Sequence, residues 1–423
     1  MLDINFIRQN PEKVKKGVRA KNIEPKLVDD FLSLDDLWRK TVKETDDLKA
    51  EQKKLSNERK IDEAKKIKIK IQDKETDLKS IEKKREEILY LLPNLPLEEV
   101  PVGKNEKENV VLREVGKKPK FSAFGGFQPK NYLEIAEKLD LIDIERAAKV
   151  SGSRFGYLKN QAALLEFALI KLAFDKLISK KFIPIIPPVM VKNEMMKGMG
   201  YVDSEKDAEE RYFLEKDNLY LVGTSEQSIG PMHADETFKK EELPKRYLAF
   251  SPCFRREAGS YGKDTKGILR VHQFDKLEMF SFCQPEKSKE EHKLFIETEE
   301  ELMKEFGIPY RVVQLCTGDL SQPSASTVDI EAWLPGQNNG QGEYRETHSS
   351  SNTTDFQARR LNIKYQSNVK GQMSEVNYLH TVNGTAFAIG RMLIAIIENY
   401  QQKDGSILMP EVLQKYLGFK EIK

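Results

Sequence analysis

The sequence predicts an α+β protein: an N-terminal antiparallel helical hairpin (a coiled coil), then a body in which helices flank an antiparallel sheet. Three observations carry this. Apolar residues recur at heptad spacing through two long charged stretches, Leu27–Leu55 and Ala64–Leu92, as two helices packed along a seam require. Further on, short apolar runs rich in β-branched and aromatic residues alternate with turn residues, which favours hairpin-linked strands over a doubly wound parallel sheet. Finally, Ser251–Phe282 holds two such runs around a polar loop with Gly259, Gly262, Gly267 and the cations Arg255, Arg256, Lys263, Lys266 and Arg270.

At 423 residues the chain is long enough for two to three domains. Seventy basic and 68 acidic residues leave a net charge of +2, so any nucleic-acid site must come from local clustering. The mean hydropathy is −0.59. The N-terminus MLDINFIRQNPEKV has no apolar signal core, and no run of about 18 apolar residues follows, so neither secretion nor membrane spanning is expected. Cys253, Cys283 and Cys316 are far apart and form no C-x-x-C pair. Neither a disulfide framework nor a cysteine zinc site is indicated, and a reducing, cytoplasmic setting fits.

Residues 1–24 open with a small helical segment, in which Asn10 caps and Pro11 takes the first helical position. In the hairpin, spanning about 26–92, Leu27, Leu34, Leu48 and Leu55 share one heptad position, with Phe31, Trp38 and Thr45 beside them. Ile71, Leu78 and Leu92, with Ile67, Ile81 and Ile88, form the second series. Each helix of about thirty residues spans roughly 45 Å. The turn is expected near Asn57–Asp62, although no Gly or Pro marks it. Charge is uneven along the pair. Leu27–Leu48 holds seven acids and three bases, whereas Lys49–Lys70 holds nine bases and four acids. Such a run is commonly a solvated face, but a basic tip also suits a phosphate backbone.

Pro93, Pro96 and Pro101 end the hairpin. Residues 1–103 thus form an N-terminal domain, 104–120 a linker low in apolar residues, and 121–423 a second domain. Within it Asn131–Leu139, Ile142–Lys149, Ala162–Ser179, Thr224–Ala234, Ser288–Phe306 and Ala386–Gln401 read as helices. Ser151–Leu158, Phe182–Val191, Tyr212–Leu214, Leu219–Val222, Leu248–Ser251, Ile268–Phe282, Tyr310–Leu315 and Asp329–Trp333 read as strands. The prolines of FIPIIPPVMV confine that strand to an edge or interface. Gly336–Gly342 reads as a surface turn. In Ser251–Phe282 the glycines allow close backbone approach and the cations suit a polyphosphate; Glu257, Asp275 and Glu278 are acids that a purely anion-binding loop would not need.

The segment FRREAGSYGKDTKGILRVHQFDKLE, with VGTSEQ before it and LHTVNGTAFAIGRMLIAIIENYQ after it, resembles the seryl-tRNA synthetase family of class II aminoacyl-tRNA synthetases. The resemblance spans nearly the whole chain: the heptad hairpin is similar to the tRNA-binding arm, about 162–191 to motif 1, about 247–282 to motif 2 and about 380–401 to motif 3. It implies a six- to seven-stranded antiparallel catalytic sheet and a homodimer built through motif 1, with the tRNA bound across subunits. It implies activation of L-serine by ATP with Mg²⁺ and no zinc, then transfer to the 3′ end of tRNA(Ser) and, in bacterial and eukaryotic members, of tRNA(Sec).

The same resemblance assigns residues. Arg255 matches the arginine on the α-phosphate, and Arg391 and Arg270 those holding the bent triphosphate, with Arg255 and Arg391 catalytic. Glu257 matches the acid reading the adenine amino edge, Phe274 the ring stacked on adenine (or, on composition alone, a core aromatic), and Val271 a backbone contact. Arg256 is counted with this ATP-side group, although its variable middle position reads as a surface charge. Glu346 and Ser349 match the magnesium ligands, hard oxygen donors suited to that ion. Thr347 and His348 between them, also on the ATP side, depart from the common bacterial form; no second His or Cys lies within zinc-ligand spacing of His348. For serine, Thr224, Ser225 and Glu226 match the amino-acid loop, and Glu278 the acid accepting the hydroxyl. Asn383 and Thr385 complete the set, Thr385 standing where serine is usual. Lys53, Lys54, Arg59, Lys60, Lys65, Lys66 and Lys68 are the tRNA-binding cations of the arm, and Lys263 and Lys266 are candidates for the acceptor end.

Three alternatives within the family remain open at this stage. Other class II synthetases carry a zinc site or a C-terminal anticodon domain, carrier-protein ligases lack the arm, and a non-catalytic RNA-binding paralogue would have lost some of Arg255, Glu257, Glu278, Glu346 or Arg391. A coiled-coil adaptor with a nucleotide-binding body ignores the resemblance altogether.

Overall fold

A computed structural model of the protein describes residues 1–121, 126–258, 264, 266–367 and 375–423. The chain divides into two compact units, Met1–Leu95 and Pro96–Lys423. No helix among the described residues is long and apolar enough to cross a membrane.

In the first unit, Ile4–Gln9 and Pro11–Ala20 form short helices, the former capped by the Asp3 carboxylate on the Phe6 N–H. Two long helices follow, α1 (Lys26–Asn57) and α2 (Ile61–Leu91). The turn between them is Glu58–Lys60, within the expected stretch. Arg59 takes the left-handed conformation there (φ 60°), a place more often filled by glycine or asparagine, which is why composition does not mark it. Phe31 and Thr45 are buried on the seam as the heptads predict, but Leu27, Leu34, Leu48 and Leu55 are only half-buried. The seam instead encloses Asp35. Its carboxylate accepts from Arg8 Nε at 2.7 Å and Arg85 Nε at 2.8 Å. The Arg85 guanidinium also lies 4.8 Å from the Trp38 ring. A charge buried this fully is tolerated because it is paired and hydrogen-bonded on all sides.

The second unit is built on a sheet of eight strands among the described residues: β1 (Val110–Val115), β2 (Ile183–Ile185), β3 (Lys245–Phe254), β4 (Gln273–Cys283), β5 (Tyr310–Gln314), β6 (Ser326–Leu334), β7 (Glu343–Thr354) and β8 (His380–Ala388). Their order is β1-β5-β6-β7-β8-β4-β3-β2. All neighbours are antiparallel except β2 and β3. The expectation of six to seven strands falls short by the edge strand β1, which lies inside the stretch 104–120 read as a linker. Val110, Val111 and Leu112 pair with β5 but are exposed, so the strand has no alternating pattern to betray it.

Other expected elements shift for local reasons. FIPIIPPVMV is two strands, β2 and Met190–Lys192, in different sheets. Pro187 and Pro188 lie between them and supply no N–H to a ladder. The expected strand Ile268–Phe282 begins only at Gln273, and the final helix only at Ile389, because Ala386–Ala388 stay in β8. β7 is absent from the sequence reading: its polar residues do not look like a buried strand. Helices α3 (Asn160–Ser179), α4 (Ser288–Glu305) and α5 (Ile389–Asn399) lay apolar faces on the core, with Leu165, Leu169, Phe295, Met303, Leu393 and Ile396 almost wholly buried. The three cysteines are buried and free.

Candidate active site

The sheet carries a cavity of about 410 Å³. The period of two along a strand decides which residues reach it. On β4, Phe274, Lys276 and Glu278 line the cavity while Leu277 and Met279 are buried in the core. On β7, Thr347, Ser349 and Ser351 line it. On β8, Asn383 and Thr385 do. A bulge in the β4–β8 pairing sets Leu277 opposite Phe387 but Glu278 opposite Thr385, so both polar groups turn toward the cavity.

The antiparallel pair β3–β4 holds one end of the site. Arg255 Nε donates to the Gly223 carbonyl at 3.1 Å, and its guanidinium lies 5.3 Å from the Phe274 ring. The Arg255 N–H donates to the His272 carbonyl, and His272 Nδ1 lies 3.0 Å from the Arg255 carbonyl, which fixes the loop exit. Glu257 takes a left-handed conformation (φ 54°) and pairs with Arg270 at 3.5 Å. Arg270 also meets Asp264 at 3.2 Å, and Arg345 reaches the same carboxylate. Val271 lines the wall. Arg391, in the first turn of α5, pairs with Glu346 Oε1 at 2.9 Å and donates to its carbonyl at 3.0 Å. Gly390 stands where a Cβ would come within 3.4 Å of the Ile268 carbonyl. Desolvation against the cavity wall would raise the carboxyl of Glu346, which is still 46% exposed, but Arg391 and Arg255 outweigh it and hold it below its ordinary range.

At the other end Thr224 stands just before, and Glu226 opens, a short helical turn, Glu226–Ile229. The Tyr201 hydroxyl donates to Glu226 at 2.5 Å, and Lys276 Nζ lies 3.5 Å from the Thr224 hydroxyl. Lys276 forms an ion pair with Glu278, which is 1% exposed. Burial pushes Glu278 up to about 7, against the pull of Lys276. Burial raises Glu226 as well. Asp329 on β6 is half-buried beside Ser349, and desolvation with the Glu346 charge pushes it well up.

Of the residues singled out in the sequence, Arg255, Glu257, Arg270, Val271, Phe274, Glu346, Thr347, Ser349, Arg391, Thr224, Glu226, Glu278, Asn383 and Thr385 line this one cavity. Three do not. His348 alternates with Ser349 and so turns to the opposite face, buried near Phe387 (ring centroids 6.0 Å apart); burial drops its pKa to about 3. Ser225 is buried with its hydroxyl 2.8 Å from that of Ser251. Arg256 is exposed beside the Tyr212 ring. Asp275 faces a second cavity with Glu166, whose carboxyl burial and Asp275 raise to about 8. Lys263, with Gly259 and Gly262, lies outside the described residues, and Lys266 is exposed. In the first unit Lys53, Lys54, Arg59, Lys60, Lys65, Lys66 and Lys68 are all exposed near the α1–α2 turn. His233, His292 and His380 bond to Tyr247, Ser350 and Ser288 and pack the fold.

Sequence reasoning missed Lys276, Asp329, Tyr201 and Arg211, which also line the cavity. Lys276 sits two residues from Glu278 on the same strand, so alternation was a usable signal for it. The others carried none, because the sheet assembles them from distant segments.

An antiparallel sheet presenting guanidiniums, paired carboxylates and an aromatic ring in one cleft can bind a nucleotide beside a small zwitterion. Comparison with known proteins agrees in kind. Residues 212–400 match the tRNA synthetase class II core domain (G, H, P, S and T), and residues 1–96 match the seryl-tRNA synthetase N-terminal domain. The chain is 43% identical over 435 residues to a serine–tRNA ligase of Dictyoglomus turgidum, covering 100% of this chain and 99% of that one. It is also 43% identical to the serine–tRNA ligase of Pyrococcus furiosus, covering 100% and 97%. The crystal structure of seryl-tRNA synthetase from Pyrococcus horikoshii complexed with ATP superposes with a TM-score of 0.92 at 42% identity, covering 100% and 99%. The cytoplasmic serine–tRNA ligase from Naegleria fowleri in complex with AMP gives 0.91 at 38%, covering 100% and 99%.

Proposed function

The chain belongs to the seryl-tRNA synthetase family and is a serine–tRNA ligase, and from that premise we propose how its residues divide the work. The observation that carries the proposal is the β3–β4 pair: it spans the cavity, with Arg255 and Phe274 toward one end and Glu278 toward the other. ATP lies with adenine against Phe274 and its amino edge at Glu257. Its phosphates lie among Arg255, Arg270 and Arg391. Serine lies at the Thr224–Glu226 loop, its ammonium toward Glu226 and its hydroxyl toward Glu278, with Asn383 and Thr385 closing the pocket.

Serine's carboxylate is ionised at neutral pH, so its attack on the α-phosphorus needs no base. An oxygen–phosphorus bond forms, pyrophosphate leaves, and seryl-adenylate remains. The difficulty is bringing two anions together, and fixed guanidiniums relieve it by charge and position. Arg255 is placed for the α-phosphate and Arg391 for the departing pyrophosphate. Glu346 and Ser349 offer hard oxygens on the cavity wall, a donor set that suits Mg²⁺ sharing phosphate and water oxygens; they would hold the ion, which when bound would neutralise phosphate charge. The tRNA 3′ hydroxyl then attacks the seryl carbonyl and AMP leaves.

The basic tip of the α1–α2 hairpin takes the tRNA backbone, with tRNA(Ser) as the main substrate and tRNA(Sec) as a second. Leu164 and Phe167 on α3, Ile183 on β2 and Ile186 just after it are exposed apolar residues, and they support a homodimer in which each tRNA meets both subunits. A cytoplasmic location accords with this chemistry. Serine-dependent ATP–pyrophosphate exchange, followed by charging of tRNA(Ser) with and without its long variable arm, tests the whole reading. Exchange with serine and poor charging of the shortened tRNA are expected; equal charging of both would remove the arm from the account.

A further inference from the structure

We infer that Arg211 is a guanidinium for the carboxylate of the amino-acid substrate, across Gly223 from Arg255, which faces the α-phosphate that this carboxylate attacks. The inference rests on the cavity being the serine and ATP site. Arg211 lines that cavity. A Cβ on Gly223 would stand 3.3 Å from a terminal nitrogen of Arg211, and the Gly223 carbonyl accepts from Arg255. Two guanidiniums therefore bracket the residue that leads into the Thr224–Glu226 loop.

The acids nearest Arg211, Glu210 and Asp207, favour its charge but do not offset burial and the Arg255 charge. Its Nε is shut off from solvent and finds no hydrogen-bond partner among the described residues. No ion pair within 4 Å involves it among the described residues. The guanidinium lies 5.4 Å from the Tyr201 ring, but the Tyr201 hydroxyl is committed to Glu226. Burial, and next the Arg255 charge, pull its pKa down. Two neighbouring cations, neither with an ion pair within 4 Å among the described residues, are costly unless an anion completes the set. The arriving anion at this end is the carboxylate. The neighbours here are Thr224, Glu226 and Tyr201, whereas Arg270, Arg391 and Glu346 gather at the phosphate end. The planar Arg211 fork suits the two carboxylate oxygens and, with Arg255 on the α-phosphate, holds the attacking one toward the phosphorus.

Serinamide tests this, because it keeps the ammonium and hydroxyl but lacks the carboxylate. In the full-length enzyme, Arg211→Gln is expected to raise the KM and Kd for L-serine roughly 10- to 100-fold. The KM for ATP should change less than about threefold. Serinamide binding, read by competition, should change little, so the preference for serine over serinamide collapses. Arg211→Lys, which keeps a cation, should retain part of that preference and guards against misfolding of the first variant. Equal weakening of serine and serinamide would reduce Arg211 to packing and overturn the inference, as would an ATP KM that rises with that of serine. A wild-type enzyme showing no serine-dependent exchange would instead overturn the underlying reading of the cavity.

Discussion

Glu278 carries a carboxyl at 1% exposure against a single lysine. Its pKa of about 7 reflects burial first and the Lys276 charge second. The raised value means the proton is favoured at low pH and the carboxylate only above neutrality. If the carboxylate accepts serine's hydroxyl, serine affinity should rise about tenfold between pH 6 and pH 8. A Kd measured by calorimetry that stays flat across that range would contradict the role. Thr385 stands opposite Glu278 in the β4–β8 pairing and is 4% exposed. Its methyl narrows the pocket, so Thr385→Ser should raise the ratio of threonine- to serine-dependent exchange by roughly tenfold; an unchanged ratio refutes the steric argument. Most of the site at this scale was legible because a short, ordered set of motif residues names it. The misplaced residues failed for geometric reasons. His348 and Ser349 are neighbours in sequence, but a strand sends them to opposite faces. Arg256 follows the end of β3, where alternation no longer holds it toward the cavity.

The long helices show the same division one level up. Heptads disclosed α1, α2 and their turn, but not that a carboxylate sits in the seam. Asp35 is recognisable only once Arg8 and Arg85 are brought to it from 27 residues before and 50 after. Asp35→Ala would leave Arg8 and Arg85, both partly exposed, without their shared partner and should destabilise the first unit by about 2–3 kcal/mol. Denaturant unfolding followed by helical signal measures this, and a loss under about 1 kcal/mol would contradict it. The arginines hold the Asp35 pKa below its ordinary value despite burial. Its contribution is therefore present above the unfolded pKa and lost as pH falls through the folded one. β1 and β7 escaped notice for the opposite reason. One is apolar but exposed and the other polar but central, so neither shows the alternation expected of a half-buried strand.

At the scale of the whole molecule, two units with different jobs should be separable by mutation. Replacing Lys65, Lys66 and Lys68 by alanine removes three exposed cations near the hairpin turn. Charging of tRNA(Ser) should weaken and lose about three units of salt slope, while pyrophosphate exchange stays within twofold. Loss of both activities together would contradict the assignment of the arm. Phe167, 68% exposed on α3, gives a test of the proposed dimer: Phe167→Glu should shift the mass in solution toward monomer, and an unaltered mass would contradict an interface through α3. One strand pair serving both substrates is open to exchange kinetics, which separate its two ends. With wild-type protein, serine should drive ATP–pyrophosphate exchange and alanine should not. Arg255→Gln should lower kcat by roughly 10²–10³, whereas Glu278→Gln should act chiefly on the KM for serine. Absence of serine-dependent exchange in the wild type, or identical effects of the two variants on kcat and KM, would contradict the account.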